Sequence, residues 1–161
     1  MSITRRTVLA LLAASAAGAS ATPAAPAAAG DLVRWPEIAL LDGRRWTPAA
    51  QRAQVVVFWS VSCPFCKRHN AHIDRLHRAA ADGGPQVLTV SRDRDVAAVQ
   101  RYLAVNGYGF PVTLAHEALS AALAPRRIIP LTVLVDARGR LKQAIPGEMF
   151  EEDVMELLKL A

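Results

Sequence analysis

The strongest indication of the fold of this chain is VVVFWSVSCPFC, residues 55–66. Its first half is an apolar, β-branched run, which is typical of a strand buried on both faces of a mostly parallel sheet. Cys63 and Cys66 are the only two cysteines in the 161 residues, and Pro64 between them suits the first position of a helix. Both cysteines therefore lie in one C-x-x-C motif at a strand-to-helix junction, a placement that predicts thiol chemistry.

The residues that follow this motif predict an amphipathic helix over residues 64–81. Its apolar stripe consists of Phe65, His69, Ile73, Leu76 and Ala80. Charged residues such as Asp74 fall outside the stripe and are expected in solvent. The Asp-Gly-Gly-Pro sequence at residues 82–85 ends the helix, because glycine and proline do not continue it.

Strand and helix patterns alternate through the rest of the chain. A small hairpin around Asp42-Gly43 precedes the first strand. The later elements are a strand at 86–91, a helix at 95–106 with Val96 inward, an extended segment at 110–114, a short helix at 117–123, strands at 131–135 and 140–144, and a helix at 150–160 with Phe150 inward. This order predicts an α/β fold in which helices flank a central mixed sheet and the β-α-β crossover is right-handed.

The length and charge of the chain limit its class. At 161 residues and 52% hydrophobic, it has material for one ordinary core, so one domain is expected. The formal charge is +5, and Arg5 and Arg6 in the first 30 residues supply 2 of it, which leaves 5 − 2 = +3 for the remainder. A surplus this small, without a lysine or arginine block, argues against a nucleic-acid partner.

Residues 1–30 have the pattern of a targeting segment. Arg5 and Arg6 precede an apolar stretch at 8–17 and an Ala-x-Ala-like cleavage site at 19–21, and an Ala/Pro-rich linker follows up to residue 30. The sequence therefore predicts a signal peptide with a linker at 1–30 and a folded domain at 31–161. The paired arginines also resemble a twin-arginine signal, and an uncleaved membrane anchor is the alternative. Export would bring the dithiol into an oxidising compartment.

Cys63 is the predicted nucleophile of the C-x-x-C motif. Free backbone N–H groups and the helix dipole stabilise a thiolate at the start of a helix. Cys66 lies one turn further on, and we expect it to be more buried and to resolve a mixed disulfide formed on Cys63. The pair can reduce a substrate disulfide or, in the opposite direction, oxidise a substrate dithiol. No cofactor is predicted besides the redox-active disulfide itself.

Other uses of two cysteines are a structural disulfide and a metal site. A disulfide that closes so short a loop restrains the unfolded chain little. A zinc site needs four ligands, and the chain offers only these two cysteines and scattered histidines, so no zinc site is predicted. A copper-binding chaperone that holds the ion between Cys63 and Cys66 remains an alternative function.

Four features of the sequence belong together: Phe58-Trp59 ahead of the C-x-x-C, the motif itself, Ile129-Pro130-Leu131-Thr132 before a strand, and Gly139 in the following turn. Together they resemble the thioredoxin fold, and within it the TlpA-like thiol-disulfide oxidoreductases of the ResA and CcmG type. The resemblance covers about residues 33–160. It implies a thioredoxin-like fold with an N-terminal hairpin and a central helical insertion.

The resemblance also implies a function and its surroundings. Such proteins are extracytoplasmic or periplasmic and exchange thiols and disulfides with protein substrates. The implied role is mainly that of a reductase, for example in the maturation of cytochrome c or of a metal site. An upstream membrane electron donor of the DsbD or CcdA kind would then keep the Cys63–Cys66 pair reduced.

Further site residues follow from the resemblance. Ile129-Pro130 matches the cis-proline loop that packs beside the C-x-x-C in the thioredoxin fold, and its backbone would face an extended substrate segment. Independently of the resemblance, Pro64, Phe65 and Trp59 could supply an apolar surface for protein substrates, with Trp46 as a further aromatic candidate. Core packing is the alternative explanation for an aromatic residue.

His69 stands three residues after Cys66, where ResA-like proteins carry a glutamate. A histidine there suits the role of proton acceptor for Cys66, because its ordinary pKa of ~6.5 lies near neutrality. The alternative is a histidine whose ring is satisfied by a backbone carbonyl.

Two departures from the TlpA-like pattern bear on the direction of exchange. Ser62 replaces the usual tryptophan, and proline stands first between the cysteines, as Pro64, with Phe65 second. Glutaredoxins and the disulfide-forming Dsb oxidases also place proline first. The fold thus favours a reductase, and the dipeptide leaves a periplasmic oxidase or isomerase open.

Overall fold

The structure is a computed structural model that describes residues 25–123 and 127–160. Its elements in chain order are β1 (Ile38–Ala39), β2 (Arg45–Trp46), β3 (Gln54–Trp59), α1 (Pro64–Ala79), β4 (Gln86–Ser91), α2 (Val96–Asn106), β5 (Val112–Thr113), α3 (His116–Leu123), β6 (Leu131–Val135), β7 (Leu141–Pro146) and α4 (Glu151–Glu156). Short 3-10 turns extend α1 and α4 at their C-terminal ends. The predicted strands and helices are therefore present, with ends that differ by a few residues.

A five-stranded mixed sheet in the order β5-β4-β3-β6-β7 forms the centre of the molecule. β3 pairs in parallel with β4 on one side and antiparallel with β6 on the other. β1 and β2 form a separate antiparallel hairpin around Asp42-Gly43. The predicted architecture, a mixed sheet flanked by helices with an N-terminal hairpin and a helical insertion, is confirmed.

β3 is buried along its whole length because both faces of the sheet are covered. Val55, Val57 and Trp59 face a cluster that includes residues of α1, α2 and α4. Val56 and Phe58 face the other cluster, which contains residues of the hairpin and α3. The alternation of a strand thus places consecutive residues of one apolar run in two different cores.

Apart from Phe65, which is described with the site, three side chains lie on the opposite side of their helix from the one predicted. Val96 and Phe150 are 44% and 79% exposed, because they stand at the first position and at the N-cap of their helices. Asp74 is 7% exposed, and its carboxylate accepts the N–H of Gly109 (2.7 Å) and is paired with Arg78. Because its carboxylate is hydrogen-bonded and paired, Asp74 can be buried, although the hydrophobic periodicity of α1 predicted that it would face solvent.

The folded part begins slightly before the predicted boundary at Asp31. The N–H of Ala27 donates to the carbonyl of Ala122 (3.1 Å), and the N–H of Gly30 donates to that of Leu141 (2.7 Å). The predicted signal peptide lies outside the described residues, as does the start of the linker. Within residues 25–123 and 127–160, no helix is both long enough and apolar enough to cross a membrane.

Candidate active site

Cys63 and Cys66 form a disulfide at the N-terminus of α1, with their Cα atoms 5.2 Å apart. A turn over residues 60–63 leads from the end of β3 into the helix. Cys63 is the N-cap, and its Sγ accepts the backbone N–H of Cys66 at 3.1 Å. The helix thus begins where the sequence predicts, and the sulfur of Cys63 occupies the position in which a helix stabilises negative charge.

The two cysteines differ in exposure. Cys66 is fully buried among core side chains, whereas Cys63 is partly exposed. The residues between them, Pro64 and Phe65, both reach solvent, and Phe65 is 56% exposed. An incoming disulfide would therefore meet the sulfur of Cys63 first, with an aromatic ring beside it. Phe65 was predicted both on the buried stripe of α1 and on a surface for substrates. Its exposure contradicts the first prediction and is compatible with the second.

The Ile129–Pro130 loop lies at the same end of the sheet as the disulfide. Its peptide bond is cis, as the resemblance implies. Leu131 pairs with Phe58 near the end of β3, so the antiparallel pairing brings the loop to the strand end that leads into the C-x-x-C. The carbonyl of Pro130 accepts the N–H of Gly147 (2.8 Å), which holds the segment after β7 against this loop.

His69 is fully buried on α1, one turn after Cys66, and both of its ring nitrogens have partners. Nδ1 accepts the backbone N–H of Met149 (3.3 Å), so the ring proton lies on Nε2, which donates to the hydroxyl of Thr132 (3.0 Å). Burial lowers the pKa of His69 to about 4, and nearby His72 adds to the effect. The ring is therefore neutral near pH 7 and joins α1 to β6 and to the loop after β7.

These contacts bear on the two roles considered for His69. A proton acceptor for Cys66 needs a free nitrogen lone pair, and the Nδ1 lone pair is occupied by Met149. The partners are a hydroxyl and a backbone N–H, not the backbone carbonyl of the alternative explanation. The geometry favours a role in which His69 holds three segments of the site together.

Trp59 does not form part of a substrate surface, which corrects the prediction for this residue. It is fully buried, and its ring lies 5.0 Å from that of Tyr102 and 6.3 Å from that of Phe110. Trp46, the further aromatic candidate, is only 6% exposed and packs against Trp35. Trp59 is the last residue of the buried strand β3, and burial of that strand on both faces places its side chain in the core.

A salt bridge that sequence reasoning missed lies next to Phe65. Arg68 donates from Nε and Nη2 to the two carboxylate oxygens of Glu148 (2.7 and 2.5 Å), a bidentate pair. The guanidinium also lies 5.2 Å from the centre of the Phe65 ring. Hydrogen bonding from Arg68 lowers the pKa of Glu148. Residues 68 and 148 are too far apart in the sequence for any local pattern to indicate the pair.

A second missed residue is Asp93, which lies beside the turn that precedes Cys63. One carboxylate oxygen accepts the hydroxyl of Ser60 (2.9 Å), and the other accepts the backbone N–H of Val61 (2.9 Å) and the hydroxyl of Ser91 (2.7 Å). Asp93 follows β4 by two residues, and β4 pairs in parallel with β3. Because parallel strands bring their carboxyl ends to one edge of a sheet, this polar residue was a signal that sequence reasoning could have used.

Curated relatives of this chain share one name. The chain is 26% identical over 103 residues to the thiol-disulfide oxidoreductase ResA of Halalkalibacterium halodurans. The aligned region covers 64% of this chain and 58% of that protein. It is 27% identical over 124 residues to ResA of Geobacillus thermodenitrificans, with coverages of 74% and 70%. The chain thus spans less than two thirds of the length of the first of these relatives. No protein-family model matches the chain.

Solved structures share the fold. StoA from Bacillus subtilis matches with a TM-score of 0.65 at 20% identity, over 75% of this chain and 93% of that one. A thioredoxin-family thiol:disulfide interchange protein from Chlorobium tepidum matches with a TM-score of 0.69 at 22% identity, over 88% and 97%. These similarities show that the fold is thioredoxin-like.

Proposed function

We propose that this chain, a thioredoxin-superfamily protein of the ResA/TlpA type, is a thiol-disulfide oxidoreductase that acts on protein substrates, mainly as a reductase. The observation that carries the proposal is the asymmetry of the disulfide. Cys63 is partly exposed and caps α1 through its sulfur, while Cys66 is buried one turn further on. A nucleophile and a resolving thiol need this arrangement.

The proposed cycle consists of two exchanges. The Cys63 thiolate attacks one sulfur of a substrate disulfide, forms a mixed disulfide and releases the other substrate sulfur as a thiolate. The Cys66 thiolate then attacks the Cys63 sulfur, which restores the 63–66 disulfide and releases the second substrate thiolate. Two electrons pass from the protein dithiol to the substrate, and the two protons lost by the cysteines balance those gained by the released thiolates.

The neighbouring residues have proposed roles in this cycle. Pro64 and Phe65 offer exposed apolar surface to a protein substrate, and the Ile129–Pro130 loop offers backbone at the same end of the sheet. His69 acts by position, since its contacts to Thr132 and Met149 fix α1 relative to the rest of the site. No cofactor besides the disulfide is needed for the exchange.

The cellular setting belongs to the same proposal. The N-terminal pattern of Arg5 and Arg6 followed by an apolar stretch supports export, by the twin-arginine or the ordinary route. Outside the cytoplasm, the substrates would be oxidised apocytochrome cysteines or a metal-site protein. A membrane donor of the DsbD or CcdA kind would return electrons to the Cys63–Cys66 disulfide.

Insulin reduction beside an anaerobic Cu(I) titration tests the proposal. We expect the wild-type protein to accelerate insulin reduction by dithiothreitol, and Cys63→Ser to reduce the rate to the background. Tight Cu(I) binding without insulin reduction would overturn the proposal in favour of a copper chaperone. Retention of full reductase activity in Cys66→Ser would contradict the role of Cys66 as the resolving thiol.

The reduction potential of the 63–66 pair tests the direction. Equilibration with glutathione buffers, followed by thiol alkylation and mass spectrometry, gives this potential. We expect a value near that of thioredoxin, about −270 mV. A value near that of DsbA, about −120 mV, would replace the reductase by a disulfide oxidase.

A further inference from the structure

We propose that Asp93 positions the turn over residues 60–63, here called the redox turn, and that the negative charge of Asp93 keeps the Cys63–Cys66 pair reducing. The inference deepens the proposed function and rests on it. Asp93 lies outside the C-x-x-C, the helix and the cis-proline loop, in the loop that follows β4, the strand next to β3. It therefore links the redox turn to the sheet by a contact that the motif does not contain.

The carboxylate of Asp93 is half-buried and accepts three hydrogen bonds. Two of the donors, the Ser60 hydroxyl and the Val61 backbone N–H, belong to the turn, at 2.9 Å each. The third donor is Ser91 in β4, at 2.7 Å. Asp93 thus holds one side-chain atom and one backbone atom of the turn, and Ser91 anchors Asp93 to the sheet.

The contacts continue from Asp93 towards the nucleophile. The hydroxyls of Ser60 and Ser62 lie 3.1 Å apart, and the carbonyl of Ser60 accepts the backbone N–H of Cys63 at 3.2 Å. Ser62 directly precedes Cys63 and is exposed. The chain of contacts explains why a small hydroxyl residue is useful at position 62, because it extends the network to the edge of the site.

The charge of Asp93 opposes the effect of the helix. The N-terminus of α1 and the N–H of Cys66 stabilise a thiolate at Cys63, whereas a carboxylate anchored to the same turn destabilises it. A destabilised thiolate makes the reduced protein less stable relative to the disulfide, so the potential falls and the pair becomes more reducing. The other charged or titratable residues in the first turns of α1 are Lys67, Arg68 and His69, and those in the loops after β4, before β6 and after β7 are Arg92, Arg94, Asp95, Arg127 and Glu148.

Asp93→Asn isolates the charge from the hydrogen bonds. The amide oxygen can accept from Val61 and Ser91, and the amide N–H can donate to Ser60, whose hydroxyl rotates. At a pH above the alkylation midpoint of Cys63, where its thiol is ionised, we expect the glutathione equilibrium of the 63–66 pair to shift about threefold towards the dithiol, which corresponds to about 14 mV. The midpoint of the pH profile of Cys63 alkylation should fall by about half a pH unit.

Asp93→Ala removes the hydrogen bonds as well, and Asp95→Asn is the matched control. Asp95 lies two residues away and caps α2 through Ala98, so Asp95→Asn removes the same charge without touching the redox turn. We expect Asp93→Ala to shift the equilibrium in the same direction as Asp93→Asn and also to slow insulin reduction at least threefold. Asp95→Asn should leave both properties unchanged within experimental error.

The inference is overturned if Asp93→Asn and Asp95→Asn give the same potential and the same alkylation midpoint as the wild type. A shift of the potential to more negative values in Asp93→Asn would also overturn it. Failure of the proposed function is a separate result, because the wild-type protein would then not reduce insulin. The glutathione equilibrium and the alkylation profile need no substrate protein, so they remain readable in that case.

Discussion

The two sides of the first turns of α1 differ in what holds them. The outer side carries Phe65 and Arg68, which are exposed and whose contacts are with each other and with Glu148. The inner side carries Cys66 and His69, which are fully buried and contact the sheet and the loop after β7. The outer side is thus open to solvent, whereas the buried contacts of the inner side determine where the sulfurs of Cys63 and Cys66 lie.

The largest effect should come from replacing the two cysteines separately. Cys63→Ser removes the nucleophile, so no mixed disulfide forms and insulin reduction falls to the background rate. Cys66→Ser retains the nucleophile but not the resolving thiol, so turnover stops with the substrate bound to Cys63. Mass spectrometry of the two variants incubated with oxidised insulin checks this difference. A stable adduct on Cys63→Ser, or none on Cys66→Ser, would reverse the assigned roles.

Replacing His69 should show how strongly the inner side is held. His69→Ala leaves the N–H of Met149 and the hydroxyl of Thr132 without their partner and opens a cavity, which should cost about 3 kcal/mol of unfolding free energy. His69→Gln retains a donor and an acceptor and should cost less. Urea unfolding at pH 7.5 measures both variants. A cost in His69→Ala below about 0.5 kcal/mol would show that the contacts of His69 with Thr132 and Met149 do not stabilise the fold.

The pH dependence of stability tests the same residue without disrupting its packing. His69 has a pKa of about 4 in the folded protein and ~6.5 when unfolded, so the folded state favours the neutral ring. This contribution is fully present above pH 6.5 and is lost as the pH falls towards 4. Between pH 7.5 and 5.0 the wild type should lose about 2 kcal/mol more unfolding free energy than His69→Gln. Equal losses in the two proteins would refute the lowered pKa.

Phe65→Ala tests the outer side. The ring is 56% exposed, so its removal should change the unfolding free energy by less than about 0.5 kcal/mol. If the ring contacts protein substrates, KM for insulin should rise severalfold, while reaction with a small disulfide such as oxidised glutathione stays unchanged. Val105→Ala is the matched control, because Val105 is 85% exposed and lies on α2. A large loss of stability in Phe65→Ala would place Phe65 with the inner side.

Only a modest effect is expected from the Arg68–Glu148 pair. Its side chains are 57% and 24% exposed, so solvent screens the interaction. A double-mutant cycle with Arg68→Ala and Glu148→Ala should give a coupling of about 0.5–1 kcal/mol at low salt and less at 1 M salt. Coupling well above this range that persists in salt would make the pair part of the rigid framework of the site.

The fold could be predicted well from the sequence, because the apolar runs that indicate strands and the residues that begin and end helices indicate the same order of elements. The apolar run of β3, the glycine stop of α2 and the proline at the start of α1 each predicted a boundary to within a residue or two. The cis-proline loop was predicted through the family resemblance and is present. Local patterns are sufficient for the boundaries of strands and helices because their physical cause lies within a few residues.

The polar contacts of the site were less predictable. Asp93 holds Ser60 across 33 residues, and Glu148 pairs with Arg68 across 80, so the partners meet only through the fold. For Trp59 the apolar run predicted burial, but the aromatic ring close to the motif suggested a substrate surface. His69 was recognised as unusual from its position, and its partners Thr132 and Met149 became visible only in the structure.

The alkylation rate of each cysteine in the fully reduced protein tests directly which of the two is the nucleophile. Limiting iodoacetamide at pH 7, followed by peptide mass spectrometry, gives the rates of Cys63 and Cys66 in one experiment. Because Cys63 is partly exposed at the helix N-cap and Cys66 is buried, Cys63 should react at least about tenfold faster. Equal rates, or faster reaction of Cys66, would contradict the assignment of nucleophile and resolving thiol.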